Sequence, residues 1–319
     1  MFRINLAILT GGKMLTAQQK KERLNYIGST DIAGVLGMSQ YKSPLSVWSE
    51  KTGQIIPEDI SNKLQVKLGI KMESIVGELF TEETQKSIQR VNETIYHPKY
   101  KFLAVNLDRR VIGEKAILEI KTAGIFKKKD WIGENIPIDY ILQVMFQLAV
   151  TGWPKAYLCV LFGNSDFEIR TIERDEKALA DMIKKAVFFW QEFVEKRQMP
   201  MQITSNDEDV LGSLFPMAKE GSVIELGDDC NKIVESLDSL LADEKILKRE
   251  IDEQKNTLRA MMKNSETAKT NNYRITWKNQ IDHRINVEKM KADAPTIYEK
   301  YLVESNKRCL RYKKLTKEE

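Results

Sequence analysis

AILEIK, residues 116–121, is a short apolar run carrying one carboxylate and one amine two positions apart, Glu119 and Lys121. On a strand, side chains at i and i+2 share a face, so Glu119 and Lys121 project together while Leu118 and Ile120 face the other way. A second apolar run, residues 102–107, ends at Asp108, eleven residues upstream of Glu119, and Gly113, Glu114 and Lys115 can turn the chain between the two runs. Such a hairpin sets Asp108 beside Glu119. The pattern of an acid, any residue and a lysine recurs at 175–177, 243–245 and 253–255. Those copies lie in polar, helix-like stretches, where the charges form a solvated face, whereas Glu119 and Lys121 sit in a strand-like run.

Charges on a buried strand need partners. The residues alone leave two readings level: a structural ion pair, or a cation held by two carboxylates and a strand carbonyl, an oxygen donor set suited to Mg²⁺. Zinc and iron–sulfur sites are not expected, because Cys159, Cys230 and Cys309 are far apart and His97 and His283 are the only histidines.

At 319 residues and 42% hydrophobic content the chain holds one large domain and a smaller one. Residues 231–319 contain 20 Lys and Arg against 15 Asp and Glu, so the net charge of +4 belongs to the C-terminal part. Few cysteines suit a reducing compartment, and no apolar stretch approaches the ~20 residues of a membrane span. The reading is a cytoplasmic protein. Residues 1–18 read as a disordered N-terminal segment, with Met14 an alternative start.

Gly28 to Ala33 combine Ser29, Thr30 and Asp31 with the apolar Ile32, which predicts a helix N-cap. Either this is ordinary capping with an unrelated Arg23 nearby, or the helix start and Arg23 hold a phosphate. A helix is predicted over residues 62 to about 88, with Leu68, Met72, Ile75, Val76, Leu79 and Phe80 inward and Glu73 at the stripe's boundary. Residues 138–151 predict a nearly all-apolar helix carrying Gln143 and Gln147, for core hydrogen bonding or, at Gln143, substrate contact. Residues 155–162 and 167–172 predict a hairpin, and 175–198 a helix with Phe188, Phe189, Trp190 and Phe193 toward the core. Strands before and after helices make this an α/β fold. Residues 201–224 read as a linker and 225–319 as a helical, coiled-coil-like and finally basic extension, with a seam at Ile233, Leu237, Leu240, Leu247, Ile251, Leu258 and Met261. A strand pair is predicted from 272–277 and the stretch after 279, and a short helix over 295–304.

Taken together, these residues resemble the YqaJ-like viral recombinases, the phage alkaline exonuclease (lambda-exonuclease-type) group of PD-(D/E)XK nucleases. The likeness runs from about residue 23 to 174 through the glycine-flanked block at 28–37 with YKSPLSVW, LGIKMESIVGELF, HPKYKFLAVNLD, ILEIKTA and YILQVMFQLAVTG. It implies a restriction-endonuclease-like core, a mixed sheet flanked by helices, over residues 19–200. It implies Glu73, Asp108 and Glu119 as metal ligands with the Ile120 carbonyl, Lys121 as the catalytic lysine, Gln143 as the glutamine of the downstream helix, and Arg23, Ser29 and Thr30 as contacts to a 5′-phosphate. Mg²⁺, with Mn²⁺ as a substitute, would be the cofactor. The implied activity is 5′-to-3′ degradation of double-stranded DNA ends, leaving 3′ single strands for an annealing protein or recombinase, with a ring-like trimer as the family's assembly. Departures are Ser29-Thr30 in place of glycine-serine, Ser74 in place of proline, and Arg109 in place of the glycine common after the aspartate. A structure-specific or restriction-like endonuclease, separable by closed circular DNA, and a non-catalytic DNA-binding or assembly protein are the alternatives.

Overall fold

The computed structural model describes residues 21–304 and 308–313. The segment expected over residues 1–18, and Lys314 and Lys317 of the basic end, lie outside the described residues. The chain divides into two compact units, Met1–Pro216 and Met217–Glu319.

The first unit opens with α1 (Ile32–Val35), α2 (Pro44–Lys51) and α3 (Leu64–Thr84). The strands β1 (Ile88–Arg90), β2 (Ile95–Tyr96), β3 (Ala104–Val105), β4 (Arg109–Val111) and β5 (Ala116–Ala123) follow. Then come α4 (Ile138–Thr151), β6 (Lys155–Phe162), β7 (Asp166–Glu173), α5 (Glu176–Phe189) and α6 (Glu208–Leu214). A five-stranded sheet runs in the order β1-β4-β5-β6-β7, with β5 and β6 parallel and the other pairs antiparallel. Parallel neighbours need a crossover, which α4 supplies. This is the mixed sheet flanked by helices that the sequence predicts.

Buried on both faces, the central strands read as unbroken apolar runs. Ile117, Leu158 and Val160 pack with Val144, Phe146 and Leu148 of α4, while Leu118, Ile120 and Cys159 pack with Val76 and Phe80 of α3. Glu119 and Lys121 are in phase with Ile117 and therefore face α4.

Several predicted elements shift. The strand pairing with β5 is β4, just after Asp108, rather than residues 102–107, because that run is taken up by β3, which pairs with β2, and by a bridge from Leu103 to Ile27. Leu68 and Ile75 are 48% and 45% exposed, whereas Val66, Gly69, Glu73, Val76, Gly77 and Phe80 face inward. The helix turns its small residues to the sheet: a Cβ on Gly77 would sit 3.0 Å from Ile88 Cδ1. Glu73 thus lies in the middle of the buried stripe, not at its edge.

The expected N-cap does not form. Helix α1 is four residues long, and the Asp31 side chain accepts from the Gly28 N–H at 3.0 Å instead of capping. Phe188 is exposed while Phe189 and Trp190 are buried, since three consecutive helical positions sweep about 200° and cannot share one core face. Helix α6 lies inside the stretch read as a linker, and Asp207 there is buried, accepting from the Thr204 N–H at 2.7 Å and from the Ser43 hydroxyl.

The second unit contains α7 (Asp229–Met262), a hairpin of β8 (Thr267–Lys269) with β9 (Arg274–Thr276), and the short α8 (Val287–Asp293) and α9 (Pro295–Tyr301). Strand β9 pairs with residues before it, not after 279, because Thr270 to Tyr273 close a tight turn, with the Thr270 N–H donating to the Tyr273 carbonyl at 2.9 Å. The seam of α7 is exposed, Leu240 by 62% and Leu247 by 57%.

Candidate functional site

The β4–β5 hairpin sets the site. Arg109 is opposite Leu118 and Arg110 opposite Ile117, with Gly113 at φ +86° in the turn, a conformation that favours glycine. That register carries Asp108, one position before β4, alongside the residues after Leu118. Its Oδ2 accepts from the Ile120 N–H at 2.8 Å. Asp108 is 6% exposed and Glu119 2%. Burial, then the charge of Glu119, holds the Asp108 carboxyl well above the usual carboxylate range, against the pull of Lys121.

Glu119 is held from three sides. Lys121 Nζ donates to Oε1 at 2.6 Å, Gln143 Nε2 to Oε1 at 2.5 Å, and Gln147 Nε2 to Oε2 at 2.7 Å. The one-turn spacing of the two glutamines on α4 puts both amides over one strand carboxylate. Both sequence readings of Gln143 assumed a partner, and the partner is Glu119. Burial opposes the charge of Lys121, yet Glu119 and Asp108 together raise its pKa above that of an ordinary lysine. Its Nζ also lies 5.4 Å from the centroid of the Tyr140 ring.

Glu73 reaches the same region from the opposite face of the sheet. Its Oε1 accepts from Arg109 Nη1, and Arg90 Nη2 lies 3.9 Å away. Burial raises the pKa of Glu73 even with Arg109 beside it. Because Glu73 is engaged with Arg109 and Glu119 with three donors, no three His, Cys, Asp or Glu side chains among the described residues form a ready cage for a metal. The donor set nevertheless fits a hard cation. Asp108 and Glu119 repel each other in a buried site, and one or two carboxylates with a backbone carbonyl and waters is how Mg²⁺ is usually held.

Arg23, Ser29 and Thr30 gather in a second cluster. Arg23 Nη2 donates to Thr30 Oγ1 at 3.0 Å, Ser29 is buried, and Arg23 Nη1 is buried with no hydrogen-bond partner. Beneath them Asp31, 1% exposed, pairs with Lys51 at 2.7 Å and Lys42 at 3.1 Å. Burial alone would raise the Asp31 pKa, but Lys51, Lys42 and Arg23 outweigh it and hold the carboxyl well below its usual range.

Sequence reasoning missed Arg109 and Gln147 as members of the site. Arg109 had a signal, an arginine directly after Asp108 at the start of a strand. Gln147 had one in its spacing from Gln143.

A YqaJ-like viral recombinase domain matches residues 19–154. The curated protein YqaJ of Bacillus subtilis, itself uncharacterized, is 35% identical over 291 residues, 89% of this chain and 90% of that protein. Among solved structures, the alkaline exonuclease LHK-Exo of Laribacter hongkongensis superposes with a TM-score of 0.51 at 20% identity, covering 57% of this chain and 94% of that one, and so shares the fold. With about nine tenths of this chain and of YqaJ aligned at 35% identity, the chain belongs to the YqaJ-like viral recombinase family.

Proposed function

We propose that this chain is a Mg²⁺-dependent deoxyribonuclease that degrades double-stranded DNA from its 5′ ends, leaving 3′ single strands for a single-strand annealing protein or recombinase. One observation carries the reading: Asp108, just before β4, is buried against the Ile120 N–H of β5, and Glu119 is buried beside Lys121 under the amides of Gln143 and Gln147. Asp108, Glu119 and the Ile120 carbonyl would hold the Mg²⁺ (Mn²⁺ would substitute), with Glu73 able to join on release from Arg109. When bound, the cation supplies a Lewis acid that polarises the scissile phosphate and eases deprotonation of the attacking water.

The protein's own groups do the rest. Gln143 and Gln147 fix the Glu119 carboxylate, and the Ile120 N–H fixes that of Asp108. Lys121, held charged by both carboxylates, orients the attacking water and offsets phosphate charge. Its raised pKa favours this charged role over that of the base. Water adds to phosphorus, the bond to the leaving oxygen breaks, and that oxygen takes up a proton. Arg23, with an unused buried Nη1, Ser29 and Thr30 receive the terminal 5′-phosphate.

The test is linear duplex labelled at the 5′ or the 3′ end, incubated with and without Mg²⁺, beside closed circular DNA. Loss of the 5′ label as mononucleotide with retention of the 3′ label is expected. Cutting of the closed circle would make the chain an endonuclease, and no cutting with Mg²⁺ or Mn²⁺ would overturn the reading.

A further inference from the structure

The 3₁₀ segment Ile125–Trp131 follows directly on β5 and starts four residues beyond Lys121. It is pinned. Trp131 is 2% exposed, with its ring centroid 5.6 Å from Tyr140 and 5.6 Å from Phe162. Tyr140 is the ring that stands 5.4 Å from Lys121 Nζ. Arg170 Nη2 donates to the Gly133 carbonyl at 3.0 Å, and at the other end the Gly163 N–H donates to the Ala123 carbonyl at 2.7 Å. Lys121, Tyr140 and Trp131 thus form a chain of contacts from the catalytic strand to the segment.

Between these anchors the segment presents apolar surface to water. Phe126 is 87% exposed, its neighbour Ile125 40%, and Ile132 just past the segment 69%. Lys127, Lys128 and Lys129 follow Phe126 directly, against a single acid, Asp130. The pairs Lys127–Asp130 and Lys128–Asp166 are both solvent-exposed, so they are weak and exchange readily for phosphates. An exposed aromatic held rigidly on a basic segment is the composition of a single-strand platform, where any base can stack and lysines follow the backbone. Three adjacent lysines do not suit a protein interface, whose buried centre is depleted in lysine.

We propose that this segment contacts the substrate strand beside the active site: Phe126 stacks on an unpaired base of a DNA end, and Lys127, Lys128 and Lys129 contact its phosphates. The placement beside the active site rests on the nuclease reading; the contact itself is tested by binding alone.

The experiment uses the full chain with Asp108→Asn, which keeps the DNA uncut, and a linear duplex with a short frayed end carrying 2-aminopurine. The parent is expected to change the fluorescence of the probe on binding. Adding Phe126→Ala should remove that change and weaken binding about tenfold, the size of one missing stack, while Phe126→Trp restores both. Replacing Lys127, Lys128 and Lys129 by alanine should lower the salt slope of binding by about two. Unchanged fluorescence and affinity in the Phe126→Ala protein would overturn the proposal, as would a Phe126→Ala protein whose only change is its mass in solution, which would mark a face between copies. A wild-type chain that binds through Phe126 but cuts no DNA would leave this contact standing and remove the nuclease reading instead.

Discussion

Glu73 of α3 and Arg109 of β4 form an ion pair at the first unit's centre, their side chains 7% and 8% exposed. The pair lies on the α3 face of the sheet, since Arg109 sits opposite Leu118, which packs with Val76 and Phe80 of α3, while the Glu119 side chain lies on the α4 side. Removing one partner of such a pair leaves a buried charge, which costs about 3–5 kcal/mol. Arg109→Met should therefore lower the unfolding free energy by an amount of that order. Arg109→Met with Glu73→Gln should recover much of it. Denaturant unfolding of the four proteins in the cycle checks the prediction, and equal losses for the single and double variants would refute it.

Asp108→Asn and Glu119→Ala are expected to abolish cleavage while DNA binding persists, because both side chains serve the chemistry more than the docking. Lys121→Ala should lose about 10²- to 10³-fold in kcat, as expected when one preorganised donor is removed. Lys177→Ala, on the exposed start of α5, should cut DNA normally. More than a few percent of wild-type cleavage by Asp108→Asn at saturating Mg²⁺ would argue against the assignment.

Gln147 touches Glu119 and is fully buried, and its own Oε1 has no hydrogen-bond partner. It is a positioning residue. Gln147→Leu should lower kcat with little change in KM, because it frees one oxygen of Glu119 without altering the way DNA is held. Gln147→Glu should be worse, placing a second carboxylate against the first. A Gln147→Leu protein with raised KM and intact kcat would instead place Gln147 on the substrate.

The site's strand was legible because two charges stand two positions apart in an apolar run: Leu118 and Ile120 share one face, so Glu119 and Lys121 share the other. The helix carrying Gln143 and Gln147 was legible for a similar reason, its apolar run ending where Gly152 adopts φ +72°. Glu73 was harder to place. Helix α3 packs through Gly69 and Gly77 rather than through Leu68 and Ile75, and close approach by small residues leaves no hydrophobic signal. The Thr30 cluster misled for a different reason. Asp31 looked like a cap, but a buried carboxylate between two lysines is a tertiary arrangement that local sequence does not encode.

Asp31 gives a pH prediction. Its folded pKa is depressed, so the folded state holds the proton less tightly than the unfolded chain, and stability rises with pH across that range. The contribution is complete above the unfolded aspartate value, about 4, and is lost as pH falls below it. Asp31→Asn should therefore be markedly less stable than wild type at pH 7, with the gap narrowing as pH falls from about 4. A gap that widens on acidification would contradict the depressed pKa.

The exposed seam of α7 leads to the last prediction. A 34-residue helix with Leu240, Leu247, Ile251 and Leu258 all substantially exposed has apolar surface without cover among the described residues. Helical stability in proteins comes mainly from packing such a face. The region also carries the chain's positive excess, with Arg308, Arg311 and Lys313 near its end. Two kinds of partner give different results when the chain is cut after Pro216. If another protein chain covers the seam, the truncated protein should show a lower mass per particle in solution or lose a co-purifying protein, with the salt slope of DNA binding unchanged. If DNA is the partner, mass should scale only with chain length and the slope should fall by about one for each phosphate that the shortened chain no longer neutralises. The seam favours the protein partner, because DNA would engage the basic residues and leave the leucines in water. Leu240→Lys with Leu247→Lys in the full chain sharpens the test: two added charges should break a protein interface yet strengthen a DNA one.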